Sequence, residues 1–466
     1  MPVRCVSITA VVYIETLDSA ENIPVYPAPR LYRSHIAAML ARYDAALESS
    51  QFDGVLIGAG TPSPVFRDDQ EHPYRAEPLF LQWAPLTAHP GSALLYRPGR
   101  RPVLLVLEAD DFWYQAAPLP AGPWRKMFDV RVISRREQIR RHVRSGKQRL
   151  ALLGDPLQWR GLDLAGTANP KRLLTYLDYQ RAYKTPWEIG CIEAATTLAL
   201  TGHRAVRQAF SAGCSEFEMG LVFLAACGQM DHELPYPAII AANHNGATLH
   251  YQHRSRQQLP ASKRHSLLLD AGCSHGGYAS DITRSHAARR GEFASMIRGL
   301  NQAQQRLCKR VAPGVAFPEL QLAAHHEIAQ LLSDWDLVQM PPEDMVAQRI
   351  TDAFLPHGLG HLLGLQVHDV GGGLAGTRGG ELPRPSRFPR LRLTRPLEPG
   401  MVVTIEPGIY FIDSLLAQLK KRRVARHIHW RDIARLRRFG GIRIEDNVVV
   451  TEKGYRNLTR ELETAP

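Results

Sequence analysis

The sequence predicts an α/β layer followed by a separate α+β domain. Three observations carry this. A chain of 466 residues is too long to fold around one hydrophobic core. From about residue 30 to 184, helical and buried-strand signals alternate, which suits an α/β layer. Beyond that point long helices accompany strands that read as antiparallel pairs, which suits an α+β domain.

Residues 1–27 read as an N-terminal extension of unknown role. Thr and Ser interrupt the apolar run "VSITAVVYIETLDSA", and no small-residue cleavage site follows, so it makes a poor secretion leader. "YRSHIAAMLARYDAALESS" (32–50) is an amphipathic helix. "FDGVLIGAG" (52–60), "RPVLLVLEA" (101–109) and "RLALLGD" (149–155) are buried-strand runs, and "NPKRLLTYLDYQRAYK" (169–184) is the helix that closes this half. The boundary is expected near residue 184. There Thr185, Pro186 and Glu188 form a capping box with proline at the first helical position. Residues 28–184 are thus one domain and 185–466 another, with helices expected over 186–211, 216–229, 292–312 and 316–334.

Several functions are argued against. No apolar run approaches the ~18 residues of a membrane helix. The six cysteines lack CxxC spacing, so they are expected as reduced, packed thiols of a cytoplasmic protein. The net charge of +12 is concentrated in 131–149 and 420–438. No nucleic-acid module surrounds either run, so both are expected to be solvated basic faces. Gly371, Gly373 and Gly376 satisfy GxGxxG but open into more glycine, arginine and proline, not a helix. "HHEIA" (325–329) lacks the second histidine of HExxH and is expected on a helix surface. The Gly/Pro/Arg-rich run 370–400 is a long loop of the kind that often carries function.

Chemistry concentrates in four motifs. "LLLDAG" and "ASDITRSH" form a strand–turn–strand unit that brings Asp270 and Asp281 near each other. "PHGLGHLLGLQVHD" presents His357, His361 and His368 around glycines that break a helix. In "GMVVTIEPGIYF", Glu406 interrupts a strand, and Pro407 holds it extended. In "FGGIRIEDNVVV", Ile442 and Ile444 face one way while Arg443 and Glu445 face the other. Converging carboxylates repel unless cations lie between them. Four carboxylates and one imidazole are too many for a single catalytic ion, and suit a pair of divalent ions, Mn²⁺, Co²⁺ or Zn²⁺.

These motifs, together with "ANHNGATLHY", resemble the pita-bread-fold metallopeptidase family of methionine aminopeptidase, aminopeptidase P and prolidase, with the bacterial Xaa-Pro dipeptidase subgroup as the nearest likeness. "DGVLIGAG", "PLFLQWAPL" and "YLDYQRAYKT" extend the resemblance into the first half, so that it covers roughly residues 30–460. The resemblance implies a C-terminal pita-bread catalytic domain behind an α/β domain that serves dimerisation and the pocket rim. It implies two metals, manganese first, held by Asp270, Asp281, His361, Glu406 and Glu445. It gives Glu406 as general base for a hydroxide shared by the ions, His250, His357 and His368 as substrate-facing histidines, Arg443 as a supporting arginine, and Tyr236 as a pocket tyrosine. Arg392 is implied to hold the C-terminal carboxylate of an Xaa-Pro dipeptide, with Arg390 and Arg395 as alternative registers. A homodimer is implied, in which Asp68 or Asp69 reaches the neighbouring pocket. Organophosphorus acid anhydrolases and aminopeptidase P share the same ligands and are the enzymatic alternatives. A non-enzymatic peptide- or nucleic-acid-binding relative is argued against by the intact ligand positions.

Overall fold

The protein is described by a computed structural model covering residues 26–108, 112–113, 115–120, 122–143 and 149–463. Most of the N-terminal extension, including Cys5 and the weak leader-like run, lies outside the described residues.

Helix α1 (Pro29–Ser50) buries Tyr32, Ile36, Met39, Tyr43 and Leu47 on one face. This follows from apolar positions recurring at helical spacing. It covers a six-stranded sheet of order β4-β3-β2-β1-β5-β6. The strands are β1 (Gly54–Gly58), β2 (Ala93–Tyr96), β3 (Val103–Leu107), β4 (Asp129–Ile133), β5 (Leu150–Leu153) and β6 (Thr167–Ala168). The sheet is mixed: β1 pairs antiparallel with β2 and parallel with β5. Helix α2 (Lys171–Arg181) closes this unit.

Helix α3 (Pro186–Ala212) starts with the expected capping box, Thr185 and Glu188 each satisfying the other's backbone N–H. Helices α4 (Glu216–Cys227), α5 (Glu292–Cys308) and α6 (Phe317–Asp334) follow. Every strand pair in this half is antiparallel. The sheets are β11-β8-β7, β12-β15-β16 and β13-β14, where β7 is Ile239–Ala242, β8 Ser266–Asp270, β11 Thr283–Ala287, β12 Val402–Ile405, β13 Gly408–Tyr410, β14 Gly441–Arg443, β15 Asp446–Thr451 and β16 Gly454–Asn457.

The two halves share apolar packing. Tyr32, Trp83 and Leu94 from the first join Trp187, Tyr278, Val402 and Val449 from the second in one cluster. A buried ion triad adds to it: Arg181 and Lys184 both bind the Asp369 carboxylate.

Two expectations are corrected. The segment between Asp270 and Asp281 is not a simple turn; it folds into a further small hairpin, β9 (Ser274–His275) against β10 (Tyr278–Ala279). His325 is buried, not exposed. Its Nδ1 lies 2.9 Å from Thr351 Oγ1 and its ring stacks on Phe388. The helix face that carries it at i, i+3 and i+4 spacing with Leu332, Ile328 and Ala329 packs inward, and the polar ring is satisfied there. Among the described residues, no helix is long and apolar enough to cross a membrane.

Candidate metal centre

Sheet register assembles the site. Asp270 ends β8 directly opposite Thr283 on β11. Thr283 in turn bridges Glu445, whose backbone N–H donates to Thr283 O at 3.0 Å. Asp270, Thr283 and Glu445 therefore form a row across three neighbouring segments. Asp281 lies two residues before Thr283 and shares its face by strand alternation. Opposite this row, the Leu359–His361 segment runs against β12. Thr404 N donates to His361 O at 3.0 Å and Glu406 N to Leu359 O at 2.8 Å. Two glycines permit these approaches. A Cβ on Gly272 would lie 1.9 Å from Ser280 O, and one on Gly360 would lie 1.9 Å from Thr404 O.

Asp281, His361 and Glu445 each offer a ligand atom within 4.8 Å of the other two, and all three are buried. His361 Nε2 lies 3.5 Å from Asp281 Oδ2 and 3.8 Å from Glu406 Oε1. Its Nδ1 donates to Leu362 O at 3.0 Å, which fixes the tautomer and leaves the Nε2 lone pair facing the carboxylates. Asp270 joins through Tyr236, whose hydroxyl contacts both Asp270 Oδ1 and Asp281 Oδ1. One phenol proton satisfies only one carboxylate; the other needs a proton or a cation. Arg443 Nη2 donates to Asp270 Oδ2 at 2.6 Å, and Arg443 Nε donates to Thr283 Oγ1 at 3.1 Å.

Electrostatics single out the same group. Burial pushes the Asp281 and Glu445 carboxyls well above their usual range, and neighbouring carboxylates push further: Asp270 on Asp281, and Asp281 and Asp270 on Glu445. Burial does the same to Glu406, followed by Glu445. One guanidinium, Arg443, faces four carboxylates. Hard oxygen donors with a single imidazole, buried and short of positive charge, fit divalent cations.

The histidines divide by setting. His357 accepts from Tyr410 OH at Nε2, 2.8 Å, and donates from Nδ1 to Gly358 O, 2.8 Å. Tyr410 OH in turn accepts from Arg443 Nη1 at 2.8 Å. His357 is thus held neutral, pushed down to about 3 by burial and then by Arg443. Its Nδ1 lies 3.7 Å from Glu406 Oε2. His368 is exposed at the rim, its ring 4.5 Å from that of His361 and edge-on to it. Loss of water on its inner side lowers its pKa first, then the charges of His361, Arg392 and His250. His250 and Arg392 are themselves exposed, close enough to these rings to perturb them.

Of the neighbouring arginines, Arg395 is buried, its guanidinium 3.7 Å over the Tyr179 ring and bonded to Tyr183 OH. That removes it from the pocket. Arg390 is exposed and reaches Pro356 O at 3.5 Å. Asp68 and Asp69 are exposed on a loop bridged at Pro64 and Glu71. Sequence reasoning missed Thr283 and Tyr410. Strand alternation could have found both, since Thr283 is two residues from Asp281 and Tyr410 four from Glu406.

The comparisons agree with this architecture. The model described as metallopeptidase family M24 matches residues 190–452, and that described as the Xaa-Pro dipeptidase N-terminal domain matches residues 30–179. A protein named Xaa-Pro dipeptidase from Aeromonas hydrophila subsp. hydrophila is 44% identical over 432 residues, spanning 93% of this chain and 98% of the relative. One of the same name from Xanthomonas campestris pv. campestris is 44% identical over 437 residues, spanning 94% and 98%. Among solved structures, the low-pH form of E. coli aminopeptidase P superposes with a TM-score of 0.69 at 22% identity, and the Zn-substituted enzyme with product at 0.67 and 21%; each comparison covers 94% of this chain and 98% of the other. Those structures show the fold. The chain belongs to metallopeptidase family M24, the pita-bread metallopeptidases, and within it to the group that carries the Xaa-Pro dipeptidase N-terminal domain.

Proposed function

We propose that this protein is a metal-dependent dipeptidase that hydrolyses Xaa-Pro dipeptides, the activity named for its 44%-identical relatives. The observation that carries the reading is the meeting of Asp281, His361 and Glu445 within 4.8 Å beside a buried Asp270–Arg443 pair. Asp270, Asp281, His361, Glu406 and Glu445 would hold two divalent ions, manganese in preference to cobalt or zinc because the donors are mostly oxygen. Bound there, the ions would polarise the scissile carbonyl and acidify a water.

The chain's own residues do the rest. Glu406, held extended by Pro407, takes the water proton and returns it to the departing prolyl nitrogen. His357, held neutral by Gly358 O and Tyr410 OH, faces Glu406 and lines the substrate side of the site. His368 donates to the oxygen on which charge develops, and His250 borders the same opening. Arg392 at the rim binds the proline carboxylate, a charge-assisted contact that counts substrate length from the C-terminus. The electrostatic reach of Arg392 to His361 and His368 supports this choice of register. Tyr236 keeps Asp270 and Asp281 together and borders the pocket. We read the active form as a cytoplasmic homodimer. Phe66, Phe112 and Trp113 are 90%, 88% and 76% exposed on the N-terminal unit, as a covered surface there would require. The described cysteines are free thiols, as a reducing compartment would keep them.

The test strips metal with a chelator, restores Mn²⁺, Co²⁺ or Zn²⁺, and assays Ala-Pro against Ala-Pro-Ala. Metal-restored turnover of the dipeptide is expected. Preference for the tripeptide would move the protein to aminopeptidase P activity, and no turnover of either would remove the peptidase reading.

A further inference from the structure

His250 projects from a segment with no regular structure of its own, between the short helical turn Asn243–Ala247 and the extended stretch that follows. Something must hold that segment, because an exposed loop histidine has no intrinsic orientation. The structure shows one carboxylate gathering it. Glu216, the first residue of α4, is 3% exposed and faces away from its own helix. Its Oε1 accepts from Ala242 N at 2.7 Å and from Asn245 Nδ2 at 2.8 Å. Its Oε2 accepts from Tyr251 OH at 2.7 Å and from Ser255 N at 2.7 Å. Asn245 Nδ2 also donates to Tyr251 OH at 3.0 Å.

The donors bracket His250. Asn245 and Tyr251 stand on either side of the 246–250 turn, and Ala242 and Ser255 lie further out on each flank. All four converge on one side chain from another element. None of the four donors carries a formal charge, so the carboxylate is used as a multidentate acceptor, the arrangement with the strongest directional demand. Phe217 N adds a backbone bond to Ser255 O at 3.1 Å, and Arg256 lies over the Phe217 ring at 4.8 Å. These two hold only the far flank.

We propose that Glu216 is a positioning residue for the active site: it clamps both ends of the turn carrying His250 and so sets where that histidine meets substrate. The functional half of this rests on the dipeptidase reading above. Glutamine at 216 keeps the shape but replaces one acceptor oxygen by an NH₂ group, which faces the Ser255 or Ala242 N–H donor to donor.

The test uses the full-length, metal-loaded protein with Glu216→Gln, Tyr251→Phe, His250→Ala and the double variant Glu216→Gln/His250→Ala. Amide hydrogen exchange over residues 242–255 should quicken at least about tenfold in Glu216→Gln with the rest of the chain unchanged. Tyr251→Phe removes one of the four bonds and should give a smaller change in the same segment, which keeps the clamp testable if Glu216→Gln folds poorly. In kinetics with Ala-Pro, Glu216→Gln should lower kcat/KM roughly tenfold when His250 is present. In the His250→Ala background the same change should cost less than about twofold, because the residue it positions is gone. Unchanged exchange over 242–255 in both clamp variants would overturn the clamp. An equal loss of kcat/KM in both backgrounds would overturn the positioning role and leave a general structural one. Absence of turnover by the unmodified protein would overturn the dipeptidase reading and the positioning role with it, while the exchange data would still decide whether the clamp exists.

Discussion

Glu445 and Asp446 are neighbours in sequence, both buried, and opposite in character. Burial alone raises both. At Glu445 the charges of Asp281 and Asp270 raise it further, and Arg443 offsets them only in part. At Asp446, Arg284 and Arg460 reverse the effect and hold the carboxyl below its usual range. Arg284 Nη2 and Arg460 Nε each lie 2.8 Å from it, and Gln304 and Asn457 donate as well. Extended backbone sends adjacent side chains to opposite faces, so the start of β15 presents a neutralised carboxylate to the core, and the bridge residue before it presents a charge-deficient one to the site. The lesson is that a buried acid marks a metal centre only where the protein withholds its counter-charge. The Asp369 triad with Arg181 and Lys184 belongs with Asp446.

Four experiments bear on this difference between the two carboxylates. The largest effect is expected on the charge-deficient side. Glu406→Gln should keep the fold and metal-free stability while turnover of Ala-Pro falls by about 10²–10⁴-fold, the range for losing a general base. A steady-state rate near that of the unmodified protein would reassign the base. Next, Asp446→Asn should cost about 3 kcal/mol in urea unfolding, since it removes the buried carboxylate that Arg284 and Arg460 share and leaves them the more exposed Glu463, yet leave metal stoichiometry intact. Glu445→Gln should do the reverse, losing metal with little cost to the metal-free fold. Equal destabilisation by the two changes would erase the distinction.

Third, pH should act on the metal-free protein with a defined sign. Asp281, Glu406 and Glu445 have folded-state pKa values above their unfolded ones. The folded state therefore binds more protons, and the stability this confers is present at low pH and lost as pH rises through the folded values. The melting temperature of stripped protein should fall from pH 5 to 8, while that of loaded protein should not; parallel curves would contradict this. The smallest effect is at His325, which burial lowers from 6.5 to about 4. Its folded pKa is depressed, so stability is full above 6.5 and declines as pH falls toward 4. His325→Gln should flatten that part of the curve by about 2–3 kcal/mol, read from urea midpoints at pH 7 and 4.5.

The ligand-bearing motifs were legible because each is local: an aspartate ending an apolar run, a histidine between glycines, a glutamate before proline. The split of Ile442 and Ile444 from Arg443 and Glu445 follows from period-two alternation, and the isoleucines do pack in the core. What the residues did not announce depends on tertiary partners. Nothing near Asp446 in sequence points to Arg284, and nothing near Glu216 points to Tyr251 or Ser255. Strand β2 went unread because "ALLY" is only four residues long, and β4 because its "DVRVI" opens a basic run whose charge hid a partly exposed strand. His325 was misread because its buried partners, Thr351 and Phe388, come from distant segments.

In the proposed site, Asp270, Asp281, His361, Glu406 and Glu445 close around a pair of divalent ions. Metal analysis of chelator-stripped protein reloaded with Mn²⁺ tests it most directly, beside Asp281→Asn and Asp446→Asn. Two ions per chain are expected in the unmodified protein and in Asp446→Asn, and fewer than one in Asp281→Asn. No stoichiometric metal in the unmodified protein, or the same loading in Asp281→Asn, would contradict it.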